Sequence, residues 1–151
     1  MVHSRIAQAR LKSLLRQFPI VTILGLRQVG KSTFAQWALP EFDILDMEDP
    51  PTLLRLEADG PLILEQSNKI VIDEAQRLPS LFPLLRSHID RYQNRKIVLL
   101  GSASPALIKK ISESLAGRTG FLELGGISIL EGDQEPLWIK GAFPRLHWSR
   151  P

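Results

Sequence analysis

Gly25-Leu26-Arg27-Gln28-Val29-Gly30-Lys31-Ser32-Thr33 follows a β-branched run, Ile20-Val21-Thr22-Ile23-Leu24, and opens into Phe34-Ala35-Gln36-Trp37-Ala38. Strand, loop and helix in that order are the context in which glycines let backbone N–H groups curl around a phosphate. Gly25, Gly30, Lys31 and Ser32 fill every fixed place of the pattern G-x-x-x-x-G-K-[ST]. In such a loop the backbone from Gln28 and Val29 through Thr33 cradles the phosphates, and the following helix adds its positive N-terminal end. Lys31 is placed to reach the β- and γ-phosphates of a nucleoside triphosphate, and the Ser32 hydroxyl to ligate Mg²⁺.

Composition sets the frame. At 151 residues and 44% hydrophobic content the chain suits one domain with a single core. A formal charge of +3 permits nucleic-acid contact without arguing for it. The absence of cysteine removes disulfides, thiolate zinc sites and cysteine nucleophiles, and fits a reducing compartment. The three histidines are scattered, with no metal-ligand spacing. No stretch reaches the roughly 18 apolar residues that a membrane span needs. A cytoplasmic protein that does not cross a membrane is the expectation.

Outward from the loop, residues 4–18 place Ile6, Leu11, Leu14, Leu15 and Phe18 at mostly helical spacing, with Arg5, Arg10, Lys12 and Arg16 between them and no acidic residue. This basic amphipathic helix either packs on the sheet and shows its cations to water, or contacts nucleic acid. On the other side, Pro40 breaks the chain and Phe42-Asp43-Ile44-Leu45-Asp46 forms a second strand. Asp49 before Pro50-Pro51 is an N-cap for a helix over residues 52–58. Capping and strand-end solvation account for Asp46, Glu48 and Asp49 without a metal.

Ile70-Val71-Ile72-Asp73-Glu74 is an apolar run ending in two carboxylates, the way a buried parallel strand delivers acids to its C-terminal edge. In a nucleotide site the first acid, Asp73, holds Mg²⁺ and the second, Glu74, polarises the attacking water as general base. A GTPase carries D-x-x-G after this strand and a later N-K-x-D. Here the residues are Asp73-Glu74-Ala75-Gln76 and Asn68-Lys69-Ile70-Val71, which points to ATP. The same acid pair argues against a P-loop kinase.

Residues 79–91 form an amphipathic helix, and Lys96-Ile97-Val98-Leu99-Leu100 a fourth strand ending in Gly101-Ser102-Ala103-Ser104. Ser102 is placed to sense a γ-phosphate or its attacking water, and Ser104 before Pro105 to cap the next helix. That helix covers residues 106–115, Gly117 closes it, and Phe121-Leu122-Glu123-Leu124 makes a fifth strand. Arg118 lies between them. It is either a surface arginine favouring the helix dipole or a finger reaching a neighbouring subunit's γ-phosphate. Residues 131–151 read as a tail or linker, with Leu137-Trp138-Ile139 and Phe143 too apolar for a solvated terminus.

GLRQVGKST, IVIDEAQRLP, LLGSAS and SLAGRTGFLEL together resemble the AAA-domain ATPases of bacteria and archaea, in the AAA+ branch of P-loop NTPases, over about residues 5–140. The resemblance implies a three-layer α/β/α sandwich with a five-stranded parallel sheet, the phosphate-loop strand central and the acid-bearing strand one place beyond it. It implies an ATPase domain over residues 1–130, with residues 131–151 leading towards a C-terminal domain. By the same resemblance Gly25, Gly30, Lys31, Ser32 and Thr33 are the Walker A loop and Asp73 with Glu74 the Walker B pair. Ser102 is then sensor one, and Arg118 an arginine finger acting between copies of the chain. Three functions follow: an ATPase using Mg²⁺ and ATP, a nucleotide-gated binding module with little hydrolysis, or a nucleic-acid-binding protein regulated by ATP.

Overall fold

The apolar runs become five strands: β1 Ile20–Gly25, β2 Asp43–Asp46, β3 Lys69–Asp73, β4 Lys96–Ser102 and β5 Thr119–Glu123. They form one sheet in the order β2-β3-β4-β1-β5 with every neighbouring pair parallel. A computed structural model describes residues 7–126. Residues 4–6 of the basic helix and the tail residues 127–151 lie outside the described residues.

The helices are α1 Ala7–Gln17, α2 Lys31–Ala38, α3 Pro50–Gln66, α4 Leu81–Arg91 and α5 Pro105–Ser114. Period-two alternation in the strands divides the core between two faces. Val21, Ile23, Val71, Val98 and Leu100 pack with Leu11 of α1 and Phe34, Ala35 and Ala38 of α2. Ile20, Ile70, Ile72, Ile97 and Leu99 pack with Leu56 and Leu64 of α3, Leu81, Phe82 and Leu85 of α4, and Leu107 and Ile111 of α5. Both faces are therefore covered, as an all-parallel sheet requires, and the expected three-layer α/β fold is the one found.

Two local expectations change. The phosphate-loop strand is not central: β4 is the middle strand, and it separates β1 from the acid-bearing β3. The strand that delivers Ser102 therefore stands between the loop and the acids. The helix expected over residues 52–58 continues to Gln66, bending where Asp59 leaves helical geometry (φ −130°, ψ 37°) just before Gly60 and Pro61. A proline lacks the N–H that would continue the ladder, so the helix kinks there. Buried Gly60 packs on α4, where a Cβ would fall 2.6 Å from Leu84 Cδ2. The two caps are as expected: Asp49 accepts from Thr52 N at 3.1 Å and Ser104 from Leu107 N at 3.3 Å.

Candidate active site

Parallel strands put all their C-terminal ends on one edge of the sheet, and β1 turns there into the loop that starts α2. Gly25 is needed for space. A Cβ on it would lie 2.6 Å from the Leu124 carbonyl oxygen and 2.9 Å from Val29 Cγ1. Leu124 N donates to Leu24 O at 2.7 Å, which draws the exit of β5 against the exit of β1. The loop then curls. Val29 is buried, and Gln28 (φ 63°) and Gly30 (φ 90°) adopt left-handed backbone. Left-handed residues set among right-handed ones turn successive N–H groups towards one concave side, which favours an anion.

α2 begins at Lys31 with Gly30 as its N-cap, no side-chain cap and no acidic residue in its first turn. Its first N–H groups therefore have no side-chain cap. Lys31 is 5% exposed, and its Nζ donates to Gly25 O at 3.2 Å and Leu26 O at 3.1 Å. Both partners are neutral. A desolvated ammonium held by two carbonyls, with no counter-charge among them, has the chemistry to hold an anion. Ser32 is exposed beside it and Thr33 half-buried.

Asp73 ends β3 and is buried, its Oδ1 accepting from Glu74 N at 2.9 Å. Glu74 takes left-handed backbone (φ 52°) and starts a single 3-10 turn, Ala75–Arg77. Among the described residues three non-glycine residues have positive φ, and two of them, Gln28 and Glu74, lie in this site. Backbone strain of this kind persists where the surroundings over-determine it. Ser102 ends β4 in register with Gly25, and Ile72, just before Asp73, pairs with Leu99 of the same strand. Phosphate loop, Ser102 and the acid pair thus share one edge in that lateral order.

Gln76 was not singled out in sequence. The 3-10 turn brings its Nε2 onto Glu74 Oε2 as a hydrogen-bond donor. Its Oε1 is buried with no hydrogen-bond partner and lies 3.0 Å from where a Cβ on Gly101 would be. Only the local Glu-x-Gln spacing could have flagged it, and that spacing has no meaning until the turn is known.

Arg118 is on the other edge. Its carbonyl accepts from Ile20 N, the first residue of β1, at 3.1 Å, whereas the loop follows the last. At about 3.3 Å per residue the strand separates the two by roughly 16 Å. Its guanidinium is engaged by Asp90 of α4. Asp46 and Asp49 are occupied locally, Asp46 Oδ1 accepting from Glu48 N at 2.8 Å and Asp49 capping α3. No group of three or more His, Asp or Glu among the described residues forms a preassembled metal site. No helix among them is long and apolar enough to cross a membrane.

The Walker-type ATPase paby2304 of Pyrococcus abyssi has the same fold, with a TM-score of 0.58 at 17% identity over 99% of this chain and 60% of that one. Uncharacterized proteins Mb2031c of Mycobacterium bovis and Rv2008c of Mycobacterium tuberculosis are each 41% identical over 158 residues, 99% of this chain. The chain spans 35% of the length of those two relatives. Residues 17–132 match the family model described as AAA domain, an interval that holds the loop, the acid pair, Ser102 and Arg118. The chain belongs to the AAA domain family of P-loop proteins.

Proposed function

We propose that the chain binds ATP with Mg²⁺ on residues 25–33 and hydrolyses it to ADP and phosphate. The observation that carries this reading is the buried Lys31 ammonium, bonded to the Gly25 and Leu26 carbonyls at the foot of the loop that opens α2. The donor set suits a magnesium triphosphate. The Ser32 hydroxyl and the Asp73 carboxylate would hold the ion, whose role is to neutralise charge on the β- and γ-phosphate oxygens.

Lys31 and the loop N–H groups bind and orient the phosphates. Glu74 takes a proton from the attacking water as its oxygen bonds to the γ-phosphorus and the bond to the β–γ bridging oxygen breaks. Ser102 contacts the γ-phosphate or that water. Arg118 of a neighbouring copy offsets the developing charge, a contribution of about 10³ to 10⁵ in rate where such fingers act. Residues 131–151 serve in this reading as a linker towards a further domain of a longer cytoplasmic protein, in line with the greater length of the relatives.

One observation favours a second reading, nucleotide-gated binding with little turnover. A lone chain keeps Arg118 on Asp90 at the far edge of the sheet, away from its own loop. The experiment is Mg²⁺-dependent ATP binding and phosphate release across a range of protein concentrations, with Lys31→Ala and Glu74→Gln alongside. Lys31→Ala is expected to lose binding, and Glu74→Gln to keep binding and lose turnover by about 10² to 10⁴. Tight binding without release at any concentration would establish the second reading. Equal loss of affinity in both variants would refute the assigned roles.

A further inference from the structure

A concave site lies on the sheet edge opposite the phosphate loop, where α1 passes the starts of β3 and β4. It has a volume of about 290 Å³, and its charged residues are Lys12, Arg16, Lys69, Lys96 and Glu41, with Phe42 among the apolar lining. We propose that this site binds the phosphate backbone of a nucleic acid.

Charge is the first argument. Four cations against one carboxylate leave a net +3 in this one site, equal to the formal charge of the whole chain. The remaining charged residues of the chain cancel in number. Lys12 and Arg16 stand one helical turn apart on α1, both exposed, in a helix with no acidic residue and with no ion-pair partner for either among the described residues. They are not there to stabilise α1 by i,i+4 pairing.

The second argument is the strand register. Lys69 and Lys96, the first residues of β3 and β4, are direct partners across the parallel ladder. Like charges set opposite each other destabilise a sheet. Neither lysine is required by the core, because both precede the buried stretch of their strands. Lys96 Nζ is held by Phe18 O at 3.1 Å, and Lys69 Nζ lies 3.6 Å from Glu41 and 5.8 Å from the centre of the Phe42 ring. The fold thus sets two lysines at adjacent strand starts against a single carboxylate, Glu41.

The form of the site selects the anion. None of the four cations is fully buried, and they come from one helix and two strand starts along an open concavity. That suits successive phosphates of a polymer better than one enclosed oxyanion. Phe42 is only 8% exposed, so it offers no face on which a base can stack. Binding is therefore through the backbone and independent of sequence. A membrane surface fits less well, since among the described residues none of the large exposed apolar ones, Leu26, Ile44, Leu54, Leu62 and Ile108, lines the site. The strand length between the two edges leaves nucleotide at the loop and polymer here without competition, so this inference does not rest on ATP hydrolysis.

The test is fluorescence anisotropy of a labelled single-stranded oligonucleotide of about 20 residues, with the protein as it stands and without nucleotide. Four phosphate contacts predict a log–log salt slope of about −3, or about 50-fold weaker binding at 200 mM than at 50 mM salt. Lys12→Glu with Arg16→Glu, both exposed, is expected to weaken binding at least tenfold. Arg86→Glu with Arg91→Glu, on the opposite face, is expected to leave it unchanged. Lys69→Gln, which removes one charge without reversing it, should flatten the slope by about 0.7. Equal losses in the two double variants, no binding at low salt, or equally tight binding of inorganic phosphate or phosphatidylserine vesicles through Lys12 and Arg16 would each overturn the proposal.

Discussion

Arg118 grips Asp90 with two parallel hydrogen bonds, Nε to Oδ1 at 2.6 Å and Nη2 to Oδ2 at 2.8 Å, while its Nη1 donates to Ala116 O at 3.0 Å. The hydrogen bond from Arg118 holds the Asp90 carboxyl below its usual range, and the same bond raises the arginine. All three nitrogens are occupied, so a guanidinium that serves a neighbour's γ-phosphate must first leave Asp90. Asp90→Ala is therefore expected to raise turnover per chain severalfold at protein concentrations where wild type is only partly assembled. Arg118→Ala is expected to stay slow at every concentration. Phosphate release measured against protein concentration decides. If Asp90→Ala is as slow as Arg118→Ala, Asp90 orients the arginine rather than competing for it.

Gln76 connects the general-base candidate to the strand that carries Ser102, donating to Glu74 while its own buried oxygen finds no partner against Gly101. An unsatisfied buried acceptor costs about 1–3 kcal/mol, so removing the amide forfeits little stability. Gln76→Ala should then leave the urea midpoint nearly unchanged and nucleotide affinity intact, while kcat falls about tenfold or more because Glu74 is no longer held. A merely structural glutamine would give the reverse: lower stability with kcat preserved.

The parts legible in sequence are those set by short-range pattern. The apolar runs of β1, β3 and β4, the caps at Asp49 and Ser104, and the phosphate-loop signature needed no tertiary information. What escaped depends on distant partners. The middle place of β4 follows from its pairing with both β1 and β3, which no local pattern encodes. The run of α3 past Asp59 buries Gly60 and Leu64 in tertiary packing that the local pattern around Pro61 does not show. The clasp of Arg118 joins residues 28 apart in the chain, and the Gln76 contact needs a 3-10 turn after a left-handed glutamate.

The loop's first glycine has a steric requirement distinct from phosphate contact. A methyl at position 25 would meet a backbone oxygen, Leu124 O at 2.6 Å, which cannot rotate aside as a side chain can. Gly25→Ala is expected to destabilise the fold by about 1–3 kcal/mol and to splay β5 from β1 at the loop. Gly125→Ala, where an added Cβ has nothing within 4 Å, should fall within about 0.5 kcal/mol of wild type. Urea unfolding of the two variants makes the comparison. Equal stabilities would mean that the loop shifts freely, and that the glycine serves phosphate contact alone.

His88 gives the fold a pH dependence whose sign is fixed by its surroundings. It is buried on α4, its ring 4.9 Å from that of Tyr92. Burial first, and then the charge of Arg95, push its pKa below the ordinary 6.5, with Glu65 acting in the opposite sense. Tyr92 donates its phenol to Glu65 at 2.6 Å, with the Arg91 and Arg95 guanidinium carbons 5.4 and 5.3 Å from its ring centre. A charged imidazole would thus join two cations already present. Above the ordinary value both folded and unfolded states are neutral at this residue, and it adds no slope. As pH falls below 6.5 the unfolded chain accepts a proton that the folded chain resists. Stability therefore declines until pH reaches the lowered folded-state value, where the decline stops. Urea midpoints of wild type are expected to drop as pH falls below the ordinary 6.5, and His88→Phe, which keeps a ring against Tyr92, should remove that part of the drop. Parallel curves for the two proteins would assign the slope to other groups.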